Sequence, residues 1–142
     1  MLRTAFVLLG LAAIGIGAMI FLLGPSVTVD AFAVALHAIA QTPARVDGLE
    51  GANIDSELRF YAVLWIAYGF LALWVARALE ARLAWLRIML LVFFAGGVGR
   101  ALSLFVLGAP HPLFSVLMWI ELLLPPALVG FSYAGSKART AP

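Results

Sequence analysis

Two charged residues lie in stretches of the chain that are otherwise apolar. Arg100 occurs in FFAGGVGRALSLF, and Glu121 occurs in IELLLPPALV. A carboxylate accepts hydrogen bonds and can transfer a proton, whereas a guanidinium donates up to five bonds in a planar fork. Together the two groups could anchor a ligand, handle a proton or tie two segments of the chain together. All three roles require that the two residues meet.

Counting along the sequence predicts that the two charges lie at the same depth in a membrane. Arg100 stands seven residues before Leu107, where its apolar run ends, or about 10 Å at the helical rise. Glu121 stands eight residues after Leu113 in the next run, which must run in the opposite direction, or about 12 Å. A lone charge near the bilayer centre costs about 2.5–3.5 kcal/mol on insertion scales. We therefore predict an ion pair between Arg100 and Glu121.

Three glycines precede the arginine: Gly96, Gly97 and Gly99. Glycines remove side-chain bulk from a helix, so they predict either close helix packing or a small cavity at this level. Ser103 follows Arg100 by three residues, which places it on the same helical face. It is therefore a further candidate for the polar network.

Two prolines follow the glutamate, at positions 125 and 126. Because proline has no N–H, the carbonyls of Glu121 and Leu122 lose their partners four residues later. Unpaired carbonyls need another donor inside a membrane. The five donors of Arg100 suffice for a carboxylate and a carbonyl together.

An aromatic stripe is the third candidate feature. Tyr61, Trp65 and Tyr68 share one helical face in DSELRFYAVLWIAYG. Trp65 lies eight residues past Glu57, about 12 Å deep and thus level with Arg100. An aromatic wall permits a cation–π contact with a guanidinium and suits a flat lipophilic ligand. Ordinary packing of the aromatic rings is the competing interpretation.

The composition indicates the environment of these residues. Of 142 residues, 65% are hydrophobic and 11% are charged, with a mean hydropathy of +1.10. Soluble domains are typically about 45–50% apolar and about 25% charged, so the composition predicts a membrane protein. The absence of cysteine excludes disulfides, thiolate metal sites and cysteine chemistry. The net charge of +2 is too small and too scattered to indicate a nucleic-acid partner.

The sequence predicts an all-α fold, a single transmembrane domain of four helices covering residues 1–142. Four runs reach the roughly 20 residues that a membrane-spanning helix needs, and none alternates like a barrel strand. The first run exceeds the usual apolar length of a signal peptide and lacks a cleavage motif. The predicted spans are residues 4–23, 58–76, 86–107 and 113–133.

The intervening segment, residues 24–56, is the one substantial polar region and is predicted to be an extracytoplasmic loop. Its first half predicts a short surface helix that starts after Asp30 as the N-cap and stops before Pro43. Phe32, Leu36 and Ile39 share one face of this helix. The second half is predicted to be an acidic, turn-rich loop whose spacing lacks a calcium-binding pattern.

The distribution of Lys and Arg predicts the orientation of the bundle. The loop side carries only Arg45 and Arg59, together with most of the acidic residues. Positive residues are enriched on the cytoplasmic side of a membrane, so both termini are predicted to be cytoplasmic. The positive residues on that side are Arg3, Arg77, Arg82, Arg87, Lys137 and Arg139.

Four blocks of sequence resemble a known family. DSELRFYAVLWIAYG, FFAGGVGRALSL, GAPHP and IELLLPP occur in this order within residues 53–126. They resemble a bacterial family of four-helix integral membrane proteins of unknown function, grouped with the DoxX-like proteins. The resemblance implies a multi-pass protein of the bacterial inner (cytoplasmic) membrane and names no reaction. The positions that match the family's motifs are Asn53, Glu57, Arg59, Tyr61, Gly97, Arg100, Pro110, Glu121 and Pro126.

These features leave three interpretations open. The first is a non-catalytic membrane protein that binds a lipophilic small molecule or a partner subunit in a polar pocket of the outer half. The second is a membrane-embedded enzyme or quinone-linked oxidoreductase subunit, in which Glu121 acts as acid or base and Arg100 holds an anionic or carbonyl group. The third is a purely structural subunit of a larger complex. The pocket of the first interpretation comprises Arg100, Glu121, Tyr61, Trp65, Glu57, Arg59 and Ser103.

The sequence predicts neither a metal site nor an obligatory cofactor. A quinone or a lipid would nevertheless suit the aromatic wall. The resemblance to DoxX-like proteins, which are associated with respiratory or quinone-linked membrane chemistry, suggests a quinone by analogy alone. Membrane lipids are the expected surroundings, with a lipophilic ligand or a membrane-protein partner as the expected binding partner.

Overall fold

The computed structural model describes the backbone of residues 2–139 and the side chains of residues 2–130. Lys137 and Arg139, two of the residues on which the predicted orientation rests, have side chains outside this part. The described chain forms α-helices and no strand, which confirms the predicted all-α fold. The helices are α1 (Leu2–Leu23), α2 (Pro25–Ala40), α3 (Ala52–Arg77), α4 (Leu83–Leu107) and α5 (Pro112–Arg139), with a 3-10 turn (Glu80–Arg82) before α4.

Four segments of the described chain are long and apolar enough to cross a membrane; they contain the first three predicted spans and overlap the fourth from residue 113 to residue 130. The chain is therefore a multi-pass membrane protein. Helix α2 has only 16 residues, or about 24 Å, less than the roughly 30 Å of a hydrocarbon core. Much of the outer surface is apolar, as lipid contact requires. The four segments are Leu2–Leu23, Ala52–Arg77, Glu80–Leu107 and Pro112–Gly130.

Helix α2 begins earlier than the sequence analysis predicts. Asp30 is not its N-cap, because the helix already starts at Pro25, directly after Gly24. Gly24 has a φ of 93°, which few other residues adopt, and proline at the first helical position is preset for a helix. Asp30 lies inside the helix, where its Oδ1 accepts a 2.9 Å bond from the N–H of Val46. Its carboxylate therefore holds the following loop against α2.

The loop between α2 and α3 is also shorter than predicted. Helix α2 ends at Ala40, before Pro43 as predicted, but α3 begins at Ala52 instead of at residue 58. The first turn of α3 contains Asp55, whose negative charge suits the N-terminus of a helix. One turn later, Arg59 Nε pairs with Asp55 Oδ2 at 2.7 Å. The polarity of the residues before position 57 predicts a loop, but the local charge pair favours a helix there.

Helices α1 and α3 pack closely through small residues. A Cβ on Gly69 would lie 2.6 Å from the carbonyl oxygen of Gly10, and one on Gly17 would lie 2.9 Å from that of Ala62. Ala13, between the two α1 glycines, is buried. Small residues let helix backbones approach without lipid between them, so this pair forms a tight half of the bundle.

Helices α4 and α5 form the other half, and an apolar cluster joins the two halves. This cluster brings together Phe6 of α1, Val75 of α3, Leu86 and Leu90 of α4, and Leu128 of α5. These residues lie near the start of α1 and α4 and near the end of α3, at one end of the bundle. Towards the other end, α3 and α4 leave room between them for the site described below.

The short connection between α3 and α4 is held by aromatic and cationic side chains. The Arg82 guanidinium lies 3.6 Å from the centre of the Trp74 ring and also donates to the Trp74 carbonyl. Trp74 and Trp85 meet edge to face, with their centroids 6.3 Å apart. Tryptophans at this position are typical of a membrane–water interface.

At the opposite end of the bundle, His111 joins the loop after α2 to the connection between α4 and α5. The Nδ1 of His111 accepts a 3.1 Å bond from the N–H of Leu113, so the Nε2–H donates to the Pro43 carbonyl at 2.9 Å. This ring position therefore requires the neutral tautomer with its hydrogen on Nε2. His111 ties the loop after α2 to the start of α5.

The orientation of the bundle stays a prediction that cysteine labelling can test. The chain contains no cysteine, so Asp47→Cys and Ala81→Cys each introduce a single exposed thiol at opposite ends of the bundle. We expect a membrane-impermeant maleimide to label the first variant in intact cells and the second only after permeabilisation. Labelling of the Ala81→Cys variant in intact cells would reverse the predicted orientation.

Candidate functional site

The structure brings the two intramembrane charges into contact. Arg100 Nε of α4 donates to Glu121 Oε2 of α5 at 2.9 Å. The glutamate side chain is only 6% exposed, and the arginine side chain is 33% exposed. The carboxylate is thus the more deeply buried member of the pair, and the guanidinium is its polar partner.

Glycines determine how closely α4 approaches the glutamate. A Cβ on Gly97 would lie 2.9 Å from Leu122 Cγ and 3.0 Å from Glu121 Cβ, so only glycine fits without displacing α5. A Cβ on Gly96 would lie 3.7 Å from Glu121 Oε2, which is ordinary contact, and one on Gly99 would meet nothing within 4 Å. Gly97 therefore permits the close packing of α4 against α5, whereas Gly96 leaves space beside the carboxylate.

The prolines lie one turn beyond the glutamate, and α5 continues through both of them. By their number, the donors of Arg100 could serve both the carboxylate and a carbonyl that the prolines leave unpaired. Within the described part of the chain, the hydrogen bond of Arg100 goes to the carboxylate, and its predicted pairing with Glu121 is the contact that forms.

The aromatic partner of the arginine is on α5 and not on α3. The guanidinium carbon of Arg100 lies 5.7 Å from the centre of the Phe114 ring, within the range of a cation–π contact. Phe114 precedes Glu121 by seven residues, which places both on one helical face. This spacing could have identified Phe114 from the sequence.

A cavity of about 300 Å³ lies between α3, α4 and α5, and the carboxylate of Glu121 lines it. Its other walls are apolar or aromatic, and Glu121 is the charged residue among the described ones that line it. Small-molecule sites have this character, with a few polar groups in a mainly apolar cleft. The lining residues are Tyr61, Leu64, Trp65, Tyr68, Val92, Phe93, Gly96 and Glu121.

The aromatic stripe of α3 forms one wall of this cavity together with Phe93 of α4. Trp65 meets Tyr68 and Phe93 edge to face, at centroid distances of 6.2 and 6.5 Å. Tyr68 stacks on Phe93, and its hydroxyl donates to the Met89 carbonyl at 3.0 Å. Phe93 is not among the residues predicted from the sequence, although it stands seven residues before Arg100 on the same face of α4. These contacts fix the orientation of the aromatic wall.

Four residues of the predicted pocket lie outside the lining of the cavity: Arg100, which pairs with Glu121, and Arg59, Glu57 and Ser103. Arg59 donates to the Phe21 carbonyl at 2.6 Å as well as to Asp55, so it closes the end of α1, where carbonyls lack helical partners. Glu57 and Ser103 are exposed on α3 and α4. The polar part of the site is therefore smaller than the predicted pocket.

The comparisons with known proteins identify a family. The sequence model of a domain of unknown function, DUF4345, matches residues 1–132. The chain belongs to this family. No curated protein and no solved structure matches the chain. Every residue of the cavity lies within the part that DUF4345 covers, so the cavity belongs to the family domain itself.

The close approach of α4 and α5 in this DUF4345 domain predicts a marked difference between two glycine variants. Gly97→Leu forces a side chain against Leu122 and should destabilise the protein by about 1–3 kcal/mol or more, as overpacking does. Gly99→Leu adds the same side chain to the same helix where there is open space, so it serves as the matched control. Thermal unfolding in detergent measures both. Equal melting temperatures for the two variants would contradict the packing described for Gly97.

The ion pair predicts non-additive effects of mutation. Removing one partner of a buried pair leaves the other charge unpaired and typically costs about 3–5 kcal/mol. We therefore expect Arg100→Ala and Glu121→Ala each to lower stability, and the double variant to be more stable than the sum of the two losses predicts. Equilibrium unfolding in mixed micelles measures this coupling, and strictly additive losses would show that the two side chains do not pair.

Proposed function

We propose that this chain is a non-catalytic membrane protein that binds a small lipophilic molecule in the cavity between α3, α4 and α5. One observation carries the proposal: a single buried carboxylate lines a cavity of about 300 Å³ whose other walls are apolar or aromatic. A polar group of this kind fixes the orientation of a ligand that is held mainly by apolar contact. Intramembrane ionisable residues are candidates for functional sites for the same reason.

The exposure of several lining residues indicates that a molecule could enter the cavity from the lipid. Tyr61, Leu64 and Val92 line it and are each about half exposed, at 50%, 54% and 56%. They belong to candidate spans, so their exposed surface faces the hydrocarbon in a bilayer. A lipophilic molecule dissolved in the membrane can reach the carboxylate by this route without crossing water.

The geometry of the site supports the binding of a ligand better than it supports the alternative, a membrane enzyme or a quinone-linked subunit. That alternative requires Arg100 to hold an anionic or carbonyl group of a substrate. Arg100 is not among the residues that line the cavity, and its guanidinium contacts Glu121 and Phe114. Among the described residues that line the cavity, Glu121 is thus the one that offers a charged group to a bound molecule.

The proposed location is the bacterial inner membrane, with both termini in the cytoplasm. Support comes from the excess of arginine around the connection between α3 and α4, the side that is cytoplasmic by the positive-inside rule. The grouping with DoxX-like proteins is proposed on the four sequence blocks alone, and it supplies no ligand.

Native mass spectrometry of the purified protein tests the proposal. We expect a small molecule to remain bound to the wild-type protein and to Gly99→Leu, and to be lost from Gly96→Leu. The reason is that a leucine at position 96 extends from the backbone into the cavity beside Glu121, whereas position 99 faces open space.

Two results would contradict the proposal. One is a small molecule that stays bound to Gly96→Leu as strongly as to the wild type. The other is the repeated absence of any bound small molecule from wild-type protein extracted under mild conditions. A bound polypeptide in its place would indicate a partner subunit as the occupant.

A further inference from the structure

The carboxylate that lines the cavity presents only hydrogen-bond acceptors. An ion-paired carboxylate has two oxygens with about four acceptor positions and no donor. The bond from Arg100 Nε uses one position on Oε2. The remaining positions can accept from a ligand, and a bond to a charged acceptor is stronger than one between neutral groups.

The space beside the carboxylate is open because residue 96 is glycine. A Cβ at this position would already be 3.7 Å from Glu121 Oε2, so a larger side chain would occupy the approach to the oxygen. Gly96 and Glu121 both line the cavity. A polar atom of a ligand can therefore reach the carboxylate from within the cavity.

The rest of the described wall is uncharged, with the Tyr61 hydroxyl and the Trp65 indole N–H among its polar atoms, and it selects mainly for the shape of the ligand. Trp65, Tyr68 and Phe93 form a contiguous aromatic surface. The hydroxyl of Tyr68 is already engaged by the Met89 carbonyl. Flat rings stack or meet edge to face with such a surface.

From these observations we infer that the ligand is an aromatic lipophilic molecule carrying a hydrogen-bond donor, such as a phenolic hydroxyl, which it directs at Glu121. This inference rests on the proposed function and adds the chemical class of the ligand. A molecule whose polar atoms only accept, such as an ether or a quinone carbonyl, cannot bond to the carboxylate. A carboxylate-bearing molecule is repelled by it.

Binding of three naphthalene probes to the protein in nanodiscs tests this class. The probes are 2-naphthol, 2-methoxynaphthalene and 2-naphthoate, which share one ring system and differ in whether they donate, only accept or carry negative charge. Nanodiscs containing Gly96→Leu supply the background of partitioning into lipid. We expect 2-naphthol to bind the wild type roughly ten-fold to one-hundred-fold more tightly than its methyl ether, and naphthoate to bind weakest.

A double variant shows whether Glu121 provides this preference. Arg100→Met with Glu121→Leu removes both charges and leaves no unpaired group, a replacement that proteins often tolerate. In this variant naphthol and its ether should bind equally, because both retain their ring contacts. A persistent preference for naphthol would assign the donor contact to another residue and overturn the inference.

The outcomes separate the inference from the proposed function. Equal or tighter binding of the methyl ether to the wild type would overturn the donor requirement and leave binding in the cavity intact. Binding of all three probes at the level of the Gly96→Leu background would contradict both.

Discussion

A charged side chain inside a bilayer needs a partner, and this requirement organises the half of the bundle formed by α4 and α5. An isolated arginine or glutamate near mid-membrane costs about 2.5–3.5 kcal/mol even on insertion scales. Arg100 and Glu121 relieve this cost by forming an ion pair at 2.9 Å. The pair in turn requires that α4 and α5 approach closely, and Gly97 permits this approach because it has no side chain to meet Leu122.

The cavity is the consequence of two halves that pack by different means. Helices α1 and α3 meet through glycine and alanine, whereas α4 and α5 meet around the ion pair and Gly97. An apolar cluster that includes Phe6 and Leu90 joins the halves at one end. Tyr68 limits how far they separate, because it lines the cavity on α3 and bonds to the Met89 carbonyl of α4. The remaining space places a carboxylate opposite an aromatic wall.

The sequence is informative about position along the membrane normal and much less about rotation around each helix. Counting residues at 1.5 Å per step put Arg100 and Glu121 at one level, and the structure places them in contact. The same counting put Trp65 at that level, yet Phe114 is the ring beside the guanidinium. Depth follows from hydropathy, whereas the direction a side chain faces follows from packing, which Gly97 and its neighbours determine.

Local signals explain the other differences. Polarity alone predicts a loop for residues 52–56, but Asp55 near the start of the helix and its pairing with Arg59 favour a helix. The same pairing and the Phe21 carbonyl occupy Arg59 and direct it away from the cavity. Asp30 resembles an N-cap by residue type, but the Gly24-Pro25 step is the stronger start signal.

The most direct test of this account is a solid-state NMR distance measurement in lipid bilayers between the Arg100 guanidinium and the Glu121 carboxyl group. Protein labelled with ¹⁵N at arginine Nε and ¹³C at glutamate Cδ should show strong dipolar dephasing of one carboxyl signal, which disappears in Arg100→Lys. This follows because Nε donates directly to the carboxylate. Dephasing that is absent from the wild type, or unchanged in Arg100→Lys, would show that the two charges do not meet in the membrane.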